Sequence, residues 1–170
     1  ADALKDARVY FEFDSDRLYR NNGNNTFTNV SKQAGVQEMG FGLSSIAMDW
    51  NGDHWPDILV ANDYIEPDIL YINNRNGTFS DQSEKSFRHT ANHTMGTDVT
   101  DINLDGLPDL IALDMLAEDY QRQKTLGTIM KEDRYKTLTS YGYGHQMMRN
   151  VLQLKHGPTS ANPVQTPSIS

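Results

Sequence analysis

Cysteine is absent from the 170 residues of this chain. Disulfides and thiolate metal sites are therefore excluded, and the redox compartment is left open. Long apolar runs are missing too; none approaches the roughly 20 residues of a membrane-spanning helix. The chain opens on ADALKDARVYFEF, with neither Met nor the layout of a signal peptide, and reads as a mature or internal segment. Basic residues are in deficit: 15 Lys and Arg stand against 23 Asp and Glu, for a formal net charge of −8. That balance argues against nucleic acid and makes cations the natural ligands. No Ser-His-Asp spacing, phosphate-binding glycine loop or transition-metal cluster is present. His54, His89, His93, His145 and His156 are scattered, and the pair four apart, His89 and His93, lies in a polar stretch. What remains, 37% hydrophobic and 22% charged residues, describes a globular chain long enough for one domain with a core.

The chain repeats itself. LYRNNGNNTFTNVS (18–31) matches LYINNRNGTFSDQS (70–83), with Leu18 on Leu70, Tyr19 on Tyr71 and Phe27 on Phe79, an offset of 52, the difference between 70 and 18. DWNGDHWPD (49–57) matches DINLDGLPD (101–109) at the same offset, the difference between 101 and 49. Two motifs sharing one period mark a structural repeat. Between them FG at 41–42 ends seven residues before Asp49, whereas MG at 95–96 ends five before Asp101, which predicts a short indel. SSIAMDW (44–50) mixes apolar and small residues, and DILVAND (57–63) and DLIALDM (109–115) are short apolar runs with β-branched content and turn signals close by. DILYINN (68–74) and TFSDQ (78–82) flank a turn, so all read as strands. Asn76-Gly77 favours a hairpin because both residues tolerate positive φ. Four short antiparallel strands in about 50 residues is the arithmetic of a β-propeller blade.

The expectation is an all-β fold, a partial propeller of two to three blades with a helical insertion. Residues 1–31, including strand-like RVYFEF (8–13), form the end of a preceding blade. Residues 41–83 form one blade, and 94–115 plus 149–157 another. Between these parts, 117–148 reads as a helical insertion with one apolar stripe, Leu126, Ile129, Met130 and Leu138. Leu152 then aligns with Leu70 at an offset of 82, the difference between 152 and 70, so the insertion adds 30 residues to the 52-residue period. The Pro- and Ser-rich end, PTSANPVQTPSIS, reads as a loop or tail. The recurring Tyr19, Tyr71, Phe27 and Phe79 read as blade core rather than sugar-stacking platforms. NNT (24–26), NVS (29–31), NGT (76–78) and NHT (92–94) match the glycosylation acceptor pattern, but two fall in the repeated turn, where conformation explains Asn.

The acidic turns carry the chemistry. In each, side-chain oxygens at positions 1, 3, 5 and 9 can converge, and a backbone carbonyl at position 7 can join them. The residues are Asp49, Asn51, Asp53, Trp55 and Asp57, then Asp101, Asn103, Asp105, Leu107 and Asp109. All are hard oxygen donors in a flexible turn, which suits Ca²⁺ with its roughly six to eight oxygens better than octahedral Mg²⁺ or N/S-seeking Zn²⁺. One Ca²⁺ per loop, two in all, is expected. Three aspartates in one turn raise one another's pKa, so the ion would add folding stability. The rival is a pair of Asp/Asn/Gly turns holding no ion. An EF-hand is excluded, because position 12 is Val60 or Ala112 and both loops feed strands. The first loop has His54 where the second has Gly106, with Gly52 two positions earlier.

FG at 41–42, DWNGDHWPDILVAND, DINLDGLPDLIALDM and the twofold LYxNNxNxTF together resemble the FG-GAP/VCBS repeat family, most of all its ASPIC/UnbV-type bacterial surface proteins. QMMRNVLQL after a helical insertion is similar to that group as well. The resemblance implies a propeller of about seven or eight blades, Ca²⁺ in the blade loops on the residues named above, with Trp55 and Leu107 giving backbone carbonyls, and an extracellular or bacterial outer-membrane location. Two and a part units cannot close a ring, so the remaining blades of a parent chain are the first expected partner. The function expected is non-catalytic binding of a surface protein or glycan, with no transmembrane segment and no nucleic acid. The alternative is a polysaccharide-processing enzyme using Asp63, Glu66 and Asp68 of NDYIEPD.

Overall fold

The computed structural model describes residues 15–125 and 132–156. The predicted strand at 8–13, the stripe residues Leu126, Ile129 and Met130, and the tail from 157 lie outside them. A hairpin of β1 (Tyr19–Asn21) and β2 (Phe27–Asn29) leads through the short helix α1 (Ser31–Ala34) to a four-stranded antiparallel sheet. Its strands run in chain order: β3 (Phe41–Met48), β4 (Asp57–Asp63), β5 (Ile69–Asn73) and β6 (Phe79–Asp81). After α2 (Ser83–Ser86) and β7 (Thr90–Ala91) come β8 (Thr94–Thr100) and β9 (Asp109–Asp114). Two helical pieces follow, α3 (Tyr120–Thr125) and α4 (Glu132–Ser140), then β10 (Gln146–Met147) and β11 (Val151–Gln153). The second sheet has the order β11–β9–β8, three strands among the described residues, and β10 pairs in parallel with β7.

The repeat holds pair for pair. Tyr19 opposes Asn29 as Tyr71 opposes Asp81. Ile69 opposes Val60 as Val151 opposes Ala112, so the 82-residue offset after the insertion is met by the strand register. The predicted indel is not there. β3 bulges between Gly42 and Ser44, and β8 bulges between Thr94 and Gly96, each 52 residues on. The structural counterpart of Phe41-Gly42 is therefore His93-Thr94, and MG at 95–96 misled because one bulged residue, Leu43 or Met95, sits beside it.

The repeated Asn-rich turn is built from side-chain bonds. Asn21 Oδ1 accepts the Gly23 N–H at 2.8 Å, and Asn73 Oδ1 accepts the Arg75 N–H at 2.9 Å. Asn24 and Asn76 accept from the N–H of Thr26 and Thr78 in the same way. The left-handed positions of the second turn are Arg75 and Gly77, not Asn76 and Gly77, since Asn76 turns its side chain back on the chain. Asn29 likewise accepts from Ser31 N–H, and Asn92 is fully buried, so these acceptor sequences serve the turns and the core.

β4 shows why the blades stack. Ile58 and Val60 face Ala34, Val36, Ile69 and Tyr71, while Leu59 points the other way, to Trp50, Leu70, Phe87 and Leu110. Both faces of the strand are covered, hence its nearly unbroken apolar run. Each fully buried Leu here contributes about 2 kcal/mol. Tyr71 is buried and its hydroxyl donates to Asp16 Oδ2 at 2.8 Å. Phe79 packs beside it as expected. Tyr19 and Phe27, however, are 50% and 62% exposed: β1 and β2 pair only with each other among the described residues. On β9 and β11 the face equivalent to Leu59 and Leu70 is open, with Leu113 and Leu152 exposed. The insertion is only partly helical. It ends in a turn and β10, and Leu138 is half-buried.

Gly40 has no room for a side chain. A Cβ there would stand 2.5 Å from Oδ1 of the buried Asn62. Gly40→Ala is expected to destabilise by about 1–3 kcal/mol, read as a lowered denaturant midpoint with an unchanged slope.

Candidate functional site

The acidic loops join β3 to β4 and β8 to β9, at the same end of both sheets. In the first, Asp49 Oδ1 accepts the N–H of Gly52 at 2.8 Å and of Asp53 at 2.9 Å, and its Oδ2 accepts that of His54 at 2.8 Å. Asp53 N–H is shared with Asn51 Oδ1 at 3.0 Å, so one donor gathers the oxygens of positions 1 and 3. Asn51 Nδ2 donates in turn to Asp53 Oδ2 at 3.0 Å, and Trp55 N–H to Asp53 Oδ1 at 2.8 Å. Asp57 closes the loop from below. It is fully buried, taking Trp50 N–H on Oδ2 at 2.9 Å and Asn73 N–H on Oδ1 at 2.8 Å.

The second loop repeats this wiring apart from the Gly52 bond. Asp105 N–H bridges Asp101 Oδ1 at 3.0 Å and Asn103 Oδ1 at 3.1 Å. Gly106 N–H donates to Asp101 Oδ2 and Leu107 N–H to Asp105 Oδ1. Asp109 is fully buried and accepts from Ile102 N–H and Lys155 N–H, both at 2.9 Å. Each loop needs two left-handed residues: Gly52 and His54 in the first (φ 77° and 67°), Leu104 and Gly106 in the second (φ 61° and 85°). Glycine occupies the opposite member of the pair in each loop. The His54 position flagged by the sequence is thus left-handed, with its partner Gly52 taking the other strained site.

All ten predicted residues lie in these two turns. The carboxylates, however, face backbone N–H groups, and no three His, Cys, Asp or Glu side chains among the described residues form a ready metal cage. The donor set still fits a hard cation: it is all oxygen, and the shared N–H holds the oxygens of positions 1 and 3 side by side. Burial lifts the Asp57 carboxyl above its ordinary range, against the pull of its backbone bonds to Asn73, Trp50 and Asn51. Asp53 goes the other way. Some burial opposes the shift, but Trp55 N–H, the Asn51 amide and Arg75 together hold it low.

At the other end of the sheets two of the three NDYIEPD carboxylates, Asp63 and Asp68, have hydrogen-bond partners, and Glu66 lines a cleft. Asp63 Oδ1 lies 2.8 Å from His93 Nδ1. Asp68 is buried and accepts Asn62 N–H at 3.0 Å and Thr94 Oγ1 at 3.1 Å. Its counterpart in the next unit is Asn150, whose Oδ1 accepts Asp114 N–H at 2.9 Å. Burial first, and then the charge of Asp114, push the Asp68 pKa up to about 7 despite both hydrogen bonds. The insertion docks at this end: Gln146 Nε2 donates to Ile65 O at 2.6 Å, and its Oε1 accepts from Asn92 Nδ2 at 2.9 Å. A cleft of about 180 Å³ opens between these segments, lined by Glu66, His89, Thr90, Tyr141 and His145. Burial, helped by Arg149 and His145, lowers the His89 pKa. Sequence reasoning missed this junction. The polar stretch around His89 and His93 marked it, but nothing local paired those residues with 141–146.

The model of one protein family, described as FG-GAP-like repeat, matches residues 9–60 and 49–112. It covers the repeated units as a class and does not single out the ASPIC/UnbV-type group. No curated protein matches the chain. No helix among the described residues is long and apolar enough to cross a membrane.

The raised Asp68 pKa sets a pH dependence. The folded state keeps a proton up to about pH 7, whereas an unfolded Asp releases it near pH 4. Stability gained from Asp68 is full below about pH 4 and is lost as pH rises towards 7. Asp68→Asn, copying Asn150, is expected to flatten this window and to gain about 1–3 kcal/mol at pH 8, with little change at pH 4. Thermal melts of both proteins across pH 4–8 check it.

Proposed function

Since the chain belongs to the FG-GAP-like repeat family, and so forms a β-propeller-like module, we propose that it is a non-catalytic, calcium-stabilised part of an exported surface protein that binds a protein or glycan. The observation that carries the calcium reading is the duplicated wiring of the two turns, in which one N–H gathers two ligand-type oxygens at the same place in each unit. Asp49, Asn51, Asp53 and Asp57 would hold one ion with the Trp55 carbonyl, and Asp101, Asn103, Asp105 and Asp109 the other with the Leu107 carbonyl. The ion's charge would offset carboxylates crowded within nine residues. The buried Asp57 and Asp109 tie each loop to the first residue of β4 or β9 and to the backbone at Asn73 or Lys155. Tightening a loop therefore stiffens its blade.

Binding belongs at the opposite end, where the β4–β5 connection, the 82–93 connection and the insertion meet around the cleft. Asp63 and Asp68 have structural partners there, which favours recognition over catalysis. The open face carrying Leu113 and Leu152 supports further blades as partners. Repeats of this family are typical of extracellular or surface proteins, and we read this chain as one of them.

Calorimetric titration with Ca²⁺ and thermal melts before and after chelation test the reading on the intact protein. Bound Ca²⁺ and a melting point several degrees lower after chelation are expected. Asp101→Asn with Asp105→Asn should remove the second loop's share. Absence of bound metal with an unchanged melting point would overturn the calcium assignment.

A further inference from the structure

The two acidic loops share their wiring but not their surroundings. Arg75 reaches the first from the turn between β5 and β6. Its Nε and Nη2 each stand 3.0 Å from Asp53 Oδ2. Asp53 keeps only 12% of its side chain exposed, whereas Arg75 keeps 58%, so the contact is sheltered on the carboxylate side. Both guanidinium donors converge on the one oxygen Oδ2, which fixes the direction of the pair.

Arg75 also stands where the repeat uses glycine. Its φ is 62°, and the equivalent residue 52 positions earlier is Gly23, with φ 79°. At the 82-residue offset the equivalent is Gly157, which lies outside the described residues. A left-handed backbone disfavours a side chain of this size, so a bulky cation here is not explained by the turn. It is explained by where its head group goes.

Two more groups add to the first loop. Lys155 lies with Nζ 5.2 Å from the centre of the Trp50 ring and feels the charges of Asp49 and Asp57. Its counterpart 82 residues earlier is the neutral Asn73. His54 Nδ1 is 3.7 Å from Asp49 Oδ2, at the position that is Gly106 in the second loop. Among the described residues no cation pairs with Asp101 or Asp105.

We propose that Arg75, supported by Lys155, is a built-in counter-cation for the first loop, which therefore holds its shape without metal and binds Ca²⁺ more weakly than the second. This inference rests on the calcium reading of the loops. Calcium entering the first loop must break the guanidinium's pair with Asp53 or sit beside that like charge, and each is unfavourable. The second loop offers its oxygens uncontested. Calcium control of the module then acts through the second loop, at the end of the sheets opposite the insertion.

The test is calcium titration of each loop alone in the intact protein. Asp105→Asn isolates the first loop and Asp53→Asn the second. Calorimetry reads the affinity. Fluorescence gives an independent signal for the first loop, because both tryptophans of the chain, Trp50 and Trp55, lie in it. The second loop is expected to bind at least about tenfold more tightly. Adding Arg75→Gln to Asp105→Asn should tighten the first loop by a similar factor. Arg75→Gln alone should lower the melting point in chelator by several degrees, with Ca²⁺ restoring it. Equal affinities in the two loops, or a first loop indifferent to Arg75→Gln, overturn the proposal and leave the calcium reading standing. No calcium at either loop in any of these proteins overturns both.

Discussion

The structure turns on one buried carboxylate per unit. Asp57 and Asp109 have no exposed surface, and each receives one N–H from the second residue of its loop and one from the strand side beyond. Burying a charge is costly unless it is hydrogen-bonded, and here both oxygens accept such bonds. The clamp joins three pieces of backbone that would otherwise be independent: the turn, the strand that leaves it, and the next strand over. With it in place, the eight residues between β3 and β4, 49–56, have little choice of path. That is why the two loops share all but one of these bonds although Gly52 and His54 in one face Leu104 and Gly106 in the other.

The clamp leaves the loop surface free to vary, and the two copies have diverged there. The first is ringed by Arg75, Lys155 and His54, whereas among the described residues no cation pairs with Asp101 or Asp105 in the second. A propeller repeats its skeleton because each blade must bury its faces against the next. It does not need to repeat the charge around each turn. The same division appears in the core. Ile58 and Val60 serve one neighbour and Leu59 the other, and the period-two pattern of β4 passes to β9 through Leu110 and Ala112.

At the other end of the sheets the repeat is broken deliberately by 30 extra residues, counted as the excess of the 82-residue offset over the 52-residue one. The insertion does not stand away from the blades. It comes back through Gln146, which bonds both Ile65 and Asn92, and through β10 alongside β7. Asp114 strengthens the same junction by accepting the N–H of Asn92 and His93 at 3.0 Å. A cleft with a buried histidine and exposed tyrosine results, on the side where loops rather than strands set the shape.

Much of this was legible along the chain. The 52-residue period, the strand runs, the acidic turns and the insertion length are local patterns, and local hydrogen bonding enforces them: Asn73 fixes the turn at Arg75 and Asp49 fixes the turn at Asp53. Where reading went astray, the cause was contact across the chain. A bulge at Leu43 and Met95 shifted the apparent register. Tyr19 and Phe27 carry the same motif as Tyr71 and Phe79 but lack the strands that would cover them. Sequence alone determined what each unit is, because backbone bonding and side-chain period act over a few residues. Only the tertiary structure decided which carboxylates are scaffold, which cation reaches which loop and where the insertion lands. Those depend on groups as far apart as Asp53 and Arg75, or Ile65 and Gln146, and no spacing rule joins them.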